Sequence, residues 1–269
     1  MLARPISFKR ILGAFLAQIL SVEAAYSEMF DLTESDKKWL GDRIFANECA
    51  GKFECLTSWN AGENFPSLGI GHFIWFPPGL DSPFEETFPQ LVQYFTNQEV
   101  PLPAWLDSKT DAPWHSREYL YTNFYDEQTI QLRELLKNTK SEQLDFIIQR
   151  LNQSLEQIIM SFPSRRHSVI REKLSTISQS HSPYGSYAII DYVHFKGTGL
   201  SRTERYQKHG WGLKQVIQEM GDSPTTIHSF VRSSKLVLNR RVEYSPESRN
   251  EQRWLPGWHR RVETYLPPQ

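Results

Sequence analysis

Apolar residues recur along this chain mainly at helical spacing. Leu40, Ile44 and Glu48 stand at i, i+4 and i+8, so a helix opening after Thr33 carries Glu48 near its end, on its apolar face. Thr33 is suited to N-cap that helix, with Asp36 three residues on as capping-box partner, and Gly51 to end it. The run Leu132, Leu135, Leu136, Phe146, Ile147, Leu151, Leu155 and Ile158 makes 128–160 strongly helical. A further helix is predicted over 165–178. Another carries the stripe Leu213, Val216, Ile217 and Met220, and one more opens on Ser223-Pro224 and runs toward Leu238. The segment YAIIDYVHF, residues 187–195, fits a buried strand or a buried helix; its place between Ser186 and Gly197 favours helix.

Alternation suited to a sheet occurs early and briefly. Leu56 to Trp59 reads as a short strand and 60–64 as a turn rich in Asn and Gly. Phe65 to Ile74 reads as the return strand, with Pro66 suiting an edge position. Pro77-Pro78-Gly79 closes the unit. Residues 80–127 are rich in Pro and aromatics, with short helices at most, and 245–269 read as a tail wrapping the surface. The sum is an α+β fold, mostly helical, with a small β-hairpin lobe and a larger helical lobe.

The return strand poses a question. Alternation puts Ser67, Gly69 and Gly71 on one face and Leu68, Ile70 and His72 on the other. A strand interior avoids glycine unless something must approach closely, either a ligand or another backbone.

Composition narrows the class. The 269 residues are 39% hydrophobic and 23% charged, enough for one sizeable core. Arg4, Lys9 and Arg10, the apolar run 11–20 and the small residues Ala24 and Ala25 read as an export signal over 1–25. The alternative is a buried N-terminal helix. The rest, 26–269, reads as a single domain, divided into 26–80 and 81–269. Removal of 1–25 takes three basic residues and one acid from 30 Lys+Arg and 31 Asp+Glu. That leaves 27 against 30, a net charge of −3. Such a balance gives no pull toward nucleic acid. The export signal makes the expected location periplasmic or secreted, and no later segment is long and apolar enough to cross a membrane. Cys49 and Cys55 are either a disulfide or two free thiols. A metal site is not expected, because the closest histidine, His72, lies beyond the hairpin. No cofactor is implied.

A glutamate at the end of the first helix, followed by a hairpin ending in S/T-x-G-x-G-H, resembles the phage-type lysozymes of the lysozyme superfamily. The motif stands here as Ser67-Leu68-Gly69-Ile70-Gly71-His72. The likeness covers about residues 33–76. It implies a lysozyme-like domain that cleaves a β-1,4-linked aminosugar polymer, peptidoglycan first, with Glu48 as general acid. Burial and the negative end of the helix dipole both favour a protonated Glu48, as that role requires. Lys52 is the partner expected if Glu48 is instead an ordinary ion-paired residue.

The family's hairpin carboxylate would fall near Ala61, which has no acid. Glu63 is the preferred substitute, with Glu54 also available and Asn60 a polar neighbour. Ser67 matches the family's threonine and implies a hydroxyl orienting the attacking water opposite Glu48. Gly69 and Gly71 would line the substrate, and His72 would support Glu48. Trp59, Trp75 and Trp211 are expected to line the groove. Asp191, with Lys196 and Glu204, would close its far wall, although each of these residues also has an ordinary structural explanation. A lytic transglycosylase using Glu48 alone and a glycan-binding protein without turnover are the alternatives.

Overall fold

The capping box at Thr33 forms. Its hydroxyl accepts from the Asp36 N–H, and the Asp36 carboxylate accepts from the Thr33 N–H at 3.0 Å. The computed structural model describes residues 29–82 and 84–268, so the expected export signal lies outside the described residues. Helix α1 (Glu34–Cys49) buries Leu40 and Ile44 completely and keeps the Glu48 side chain 13% exposed. It ends one residue before the expected stop: Ala50 and then Gly51 both turn left-handed, at φ 49° and 69°.

A short 3₁₀ turn, Phe53–Leu56, leads into a sheet that departs from the expected hairpin. Three two-residue strands, β1 (Thr57–Ser58), β2 (Ser67–Leu68) and β3 (Phe73–Ile74), pair antiparallel in the order β1-β2-β3. Ser58 faces Ser67, and Ser67 faces Ile74. The predicted return strand is therefore two strands joined by a tight turn at 69–72, and β2 is central rather than an edge. Pro66 precedes β2 and offers only its carbonyl, which accepts from the Trp75 N–H at 3.3 Å.

This turn answers the question of the glycines. Gly69 sits at φ +67°, and a Cβ there would lie 2.3 Å from Oε1 of Gln143. That oxygen accepts the Ile70 N–H at 3.0 Å, while Gln143 Nε2 donates to the Leu136 carbonyl at 2.6 Å. A Cβ on Gly71 would meet the Phe73 ring at 2.3 Å. At both glycines the close approach is made by the protein's own side chains. Gly69→Ala is expected to cost about 1–3 kcal/mol through the left-handed φ and the displaced Gln143 amide. A lower urea midpoint would register it.

The helical part follows the apolar stripes: α2 (Phe88–Asn97), α3 (Arg117–Thr122), α4 (Glu127–Asn138), α5 (Lys140–Met160), α6 (His167–Ser178), α7 (Tyr184–Lys196), α8 (Leu213–Met220), α9 (Ile227–Tyr244) and α10 (Leu255–Glu263). Helix α1 packs on α5, α6 on α7, α8 on α9 and α9 on α10. Every residue of α7 from Gly185 to Tyr192 is buried, which is why 187–195 lacked an amphipathic period. Helix α9 starts later than expected. Thr226 caps it reciprocally with Ser229, both contacts at 3.0 Å, and leaves Ser223-Pro224 outside. The tail does not merely wrap the surface: Val262 and Tyr265 are fully buried. One buried cluster extends from Met29 to Tyr265. Among the described residues, no helix is long and apolar enough to cross a membrane.

Candidate active site

Glu48 ends α1 where three distant parts of the chain converge on it. Arg261 from α10 donates through Nη2 to Oε1 at 2.5 Å. His72, from the turn between β2 and β3, places Nδ1 3.6 Å from Oε2, and His194, from α7, places Nε2 3.8 Å from Oε1. His72 adopts φ 47°, unusual for a residue with a side chain, just where it meets Glu48. Lys52 is not the partner of Glu48; the helical tail supplies the cation instead.

Asp191 lies behind this group with no exposed surface. Its carboxylate accepts from Arg261 Nε at 2.9 Å and Nη2 at 2.8 Å, from the Tyr265 hydroxyl at 2.6 Å and from Asn47 Nδ2 at 3.0 Å. Asn47 Nδ2 also reaches the Tyr187 hydroxyl at 2.6 Å. The Asn47-Glu48 pair is thus clamped by α7 and α10. Burial works against the Arg261 charge, but the Asp191 hydrogen bonds and the nearby carboxylates outweigh it and hold the guanidinium above its usual value. Burial pushes the His194 imidazole down, with Glu48 and Asp191 pulling the other way.

A cavity of about 330 Å³ opens beside this group, between the turn and the helices. Gly71, His72 and Ile74 form one wall, and Arg150, Val193 and His194 stand on the other. Arg150 holds Glu85 in a two-pronged ion pair at 2.8 and 3.1 Å. That bond, followed by one from Gln90, lowers the Glu85 carboxyl to about 2. A larger cavity, about 1080 Å³, is lined by residues 98–105 and 130–142 and touches none of the groups around Glu48.

The other expected residues are distributed differently. Ser67 is buried at the centre of the sheet, and its carbonyl accepts from the Ser58 hydroxyl at 3.2 Å. Glu63 sits in an exposed turn, bonded by Asn60 Nδ2 at 3.2 Å, and borders a separate cavity of about 490 Å³ with Trp59 and Arg117. The expectation that three tryptophans line the groove needs correction. Trp75 is fully buried against Phe88 and Trp114, with its N–H on the Thr110 carbonyl. Trp211 is 8% exposed and packs under Arg241. Trp59 is 4% exposed, with its N–H spent on the Glu63 carbonyl at 2.8 Å. Asp191 likewise is not a groove wall but the buried anchor of Arg261.

Cys49 and Cys55 form a disulfide, with their Cα atoms 5.3 Å apart. The hairpin folds back so that His72 reaches this pair: the two Sγ atoms and a ring nitrogen of His72 all lie within 4.8 Å of one another. Sequence reading missed His72 as a neighbour of the cysteines, and it missed Arg261, His194 and Tyr265 altogether. The i, i+4 spacing of Arg261 and Tyr265 is the only local sign that they share a face.

Lys196 follows this site on α7. Its ammonium lies 3.5 Å from the centroid of the Trp258 ring, yet burial and then Arg241 lower it from 10.5 to about 6. Between these values the unfolded chain binds the extra proton. Stability should therefore rise with pH from about 6 toward 10.5, and this contribution is lost as pH falls through about 6. Lys196→Met is expected to flatten that rise, measured as denaturant midpoints at pH 6 and pH 9.

Comparison of the chain with protein-family models, with characterised proteins and with solved structures gave no match.

Proposed function

We infer that this protein is an exported, lysozyme-like glycoside hydrolase that cleaves a β-1,4-linked aminosugar polymer, peptidoglycan first, with Glu48 as general acid. The observation that carries this reading is Glu48 itself. It is a mostly buried carboxyl at a helix end, paired with Arg261 and flanked by His72 and His194, both of which line a cavity between hairpin and helices. Arg261 engages Oε1, so Oε2, on the His72 side, is the oxygen that would pass a proton to the glycosidic oxygen as the bond breaks. Ser67 is buried in the central strand and does not line that cavity, so in the hydrolytic reading another group must direct the water.

One observation favours a second reading. Glu63 borders a different cavity, and Asp191 is committed to Arg261 and Tyr265, so neither stands ready as a second carboxylate beside Glu48. A lytic transglycosylase needs only one: Glu48 would protonate the leaving oxygen and then, as a base, help the sugar's own hydroxyl close an anhydro ring.

Incubation of the protein and of Glu48→Gln with peptidoglycan, followed by mass spectrometry of the soluble fragments, separates these outcomes. Reducing muropeptides from the parent alone support hydrolysis, and anhydro ends support the transglycosylase. Binding with no fragments from either protein would replace both with a glycan-binding role.

A further inference from the structure

The Cys49–Cys55 pair stands beside the proposed acid, and the fold has added a histidine to it. The two Sγ atoms and a ring nitrogen of His72 lie within 4.8 Å of one another. Ligand atoms around a tetrahedral zinc ion stand about 3–4 Å apart, a spacing implied by Zn–S and Zn–N bonds of roughly 2.3 and 2.0 Å. The cysteine Cα atoms are already 5.3 Å apart, and the three groups come from two segments that the hairpin holds together. In the disulfide, both sulfurs are bonded to each other and are poor metal ligands. Reduced and deprotonated, they are strong ones. His72 is partly exposed, which gives an ion a way in.

We propose that reduction of Cys49–Cys55 creates a zinc site formed by Cys49 Sγ, Cys55 Sγ and a ring nitrogen of His72. A phosphine reductant supplies the two electrons and takes the oxygen of one water molecule. The sulfurs gain two protons, and zinc binding then releases both as the thiolates bind the metal. Three protein ligands leave a fourth position, which water or Glu48 Oε2, 3.6 Å from His72 Nδ1, can fill. The site does not depend on the proposed activity. Its consequence does: if Glu48 is the acid, a metal here ties down the reacting carboxyl and stops glycan cleavage until the disulfide re-forms. The chain would then be active only when oxidised, as an exported enzyme is.

The test is a titration with cobalt(II) chloride, used as a visible substitute for zinc, on the phosphine-reduced protein, with circular dichroism as a check on helix content. The expected result is thiolate-to-cobalt absorption that saturates at one equivalent and disappears on adding zinc chloride. The oxidised protein and Cys49→Ser/Cys55→Ser should lack it. His72→Ala should bind cobalt at least about tenfold more weakly, by comparison with the loss seen when even a supporting residue of a metal site is removed. Three results would each overturn the proposal: no such absorption from reduced protein that keeps its helical signal, loss of that signal on reduction, or cobalt binding unchanged by His72→Ala. All three are read without a glycan substrate, so failure of the metal site is distinct from failure of the hydrolase reading.

Discussion

Asp191→Ala should destabilise the protein by about 3–5 kcal/mol, the cost typical of breaking a buried ion pair from one side. The carboxylate has no exposed surface and is the acceptor for Arg261, Tyr265 and Asn47. Its removal leaves a largely buried guanidinium with Glu48 as its remaining charged partner among the described residues, and a buried phenol without its acceptor. For a chain of this size, a fall in Tm on the order of 10 °C should accompany the loss. Thermal unfolding by circular dichroism would measure it. A fall below about 1 kcal/mol would mean that the Arg261 cluster does not hold α7 and α10 together.

The second large effect is on turnover. Glu48→Gln keeps the size and the hydrogen-bonding capacity of the side chain but cannot donate a carboxylic proton. If Glu48 is the general acid, glycan cleavage should fall by about 10²–10⁴-fold. Stability should change far less than in Asp191→Ala, because Arg261 keeps its two bonds to Asp191. Release of labelled fragments from peptidoglycan gives the rate, and a denaturation curve gives the stability. Activity within a factor of a few of the parent would remove Glu48 from the mechanism. The two variants separate the roles of neighbouring acids: one anchors the site, and the other is proposed to react.

Much of the fold was legible in the sequence, because helices are written in near neighbours. The Thr33–Asp36 capping box, the approach of Glu48 to the end of α1 and the stripes of α5, α6 and α8 all follow from spacings of three and four residues. The all-buried α7 was read from its flanking residues, since its own pattern has no polar face.

The sheet was harder. Strands of two residues carry almost no periodic signal, and a turn within 65–74 mimics alternation. The glycines there marked close approach correctly, but only the packing of α5 shows that Gln143 is what approaches Gly69. Tryptophans drew attention as flat rings, yet Trp75 and Trp211 were claimed by the core, where their area is best removed from water.

By itself the sequence determined the mostly helical α+β class, the helix that carries Glu48, and a candidate cysteine pair. Tertiary structure alone decided who stands beside Glu48: Arg261, 213 residues away, His194 from a buried helix, and His72 returned by the hairpin to the disulfide. Local spacing records which residues share a face. Which faces meet is decided by burial of apolar surface across the whole chain, and the charged groups are brought together by that packing.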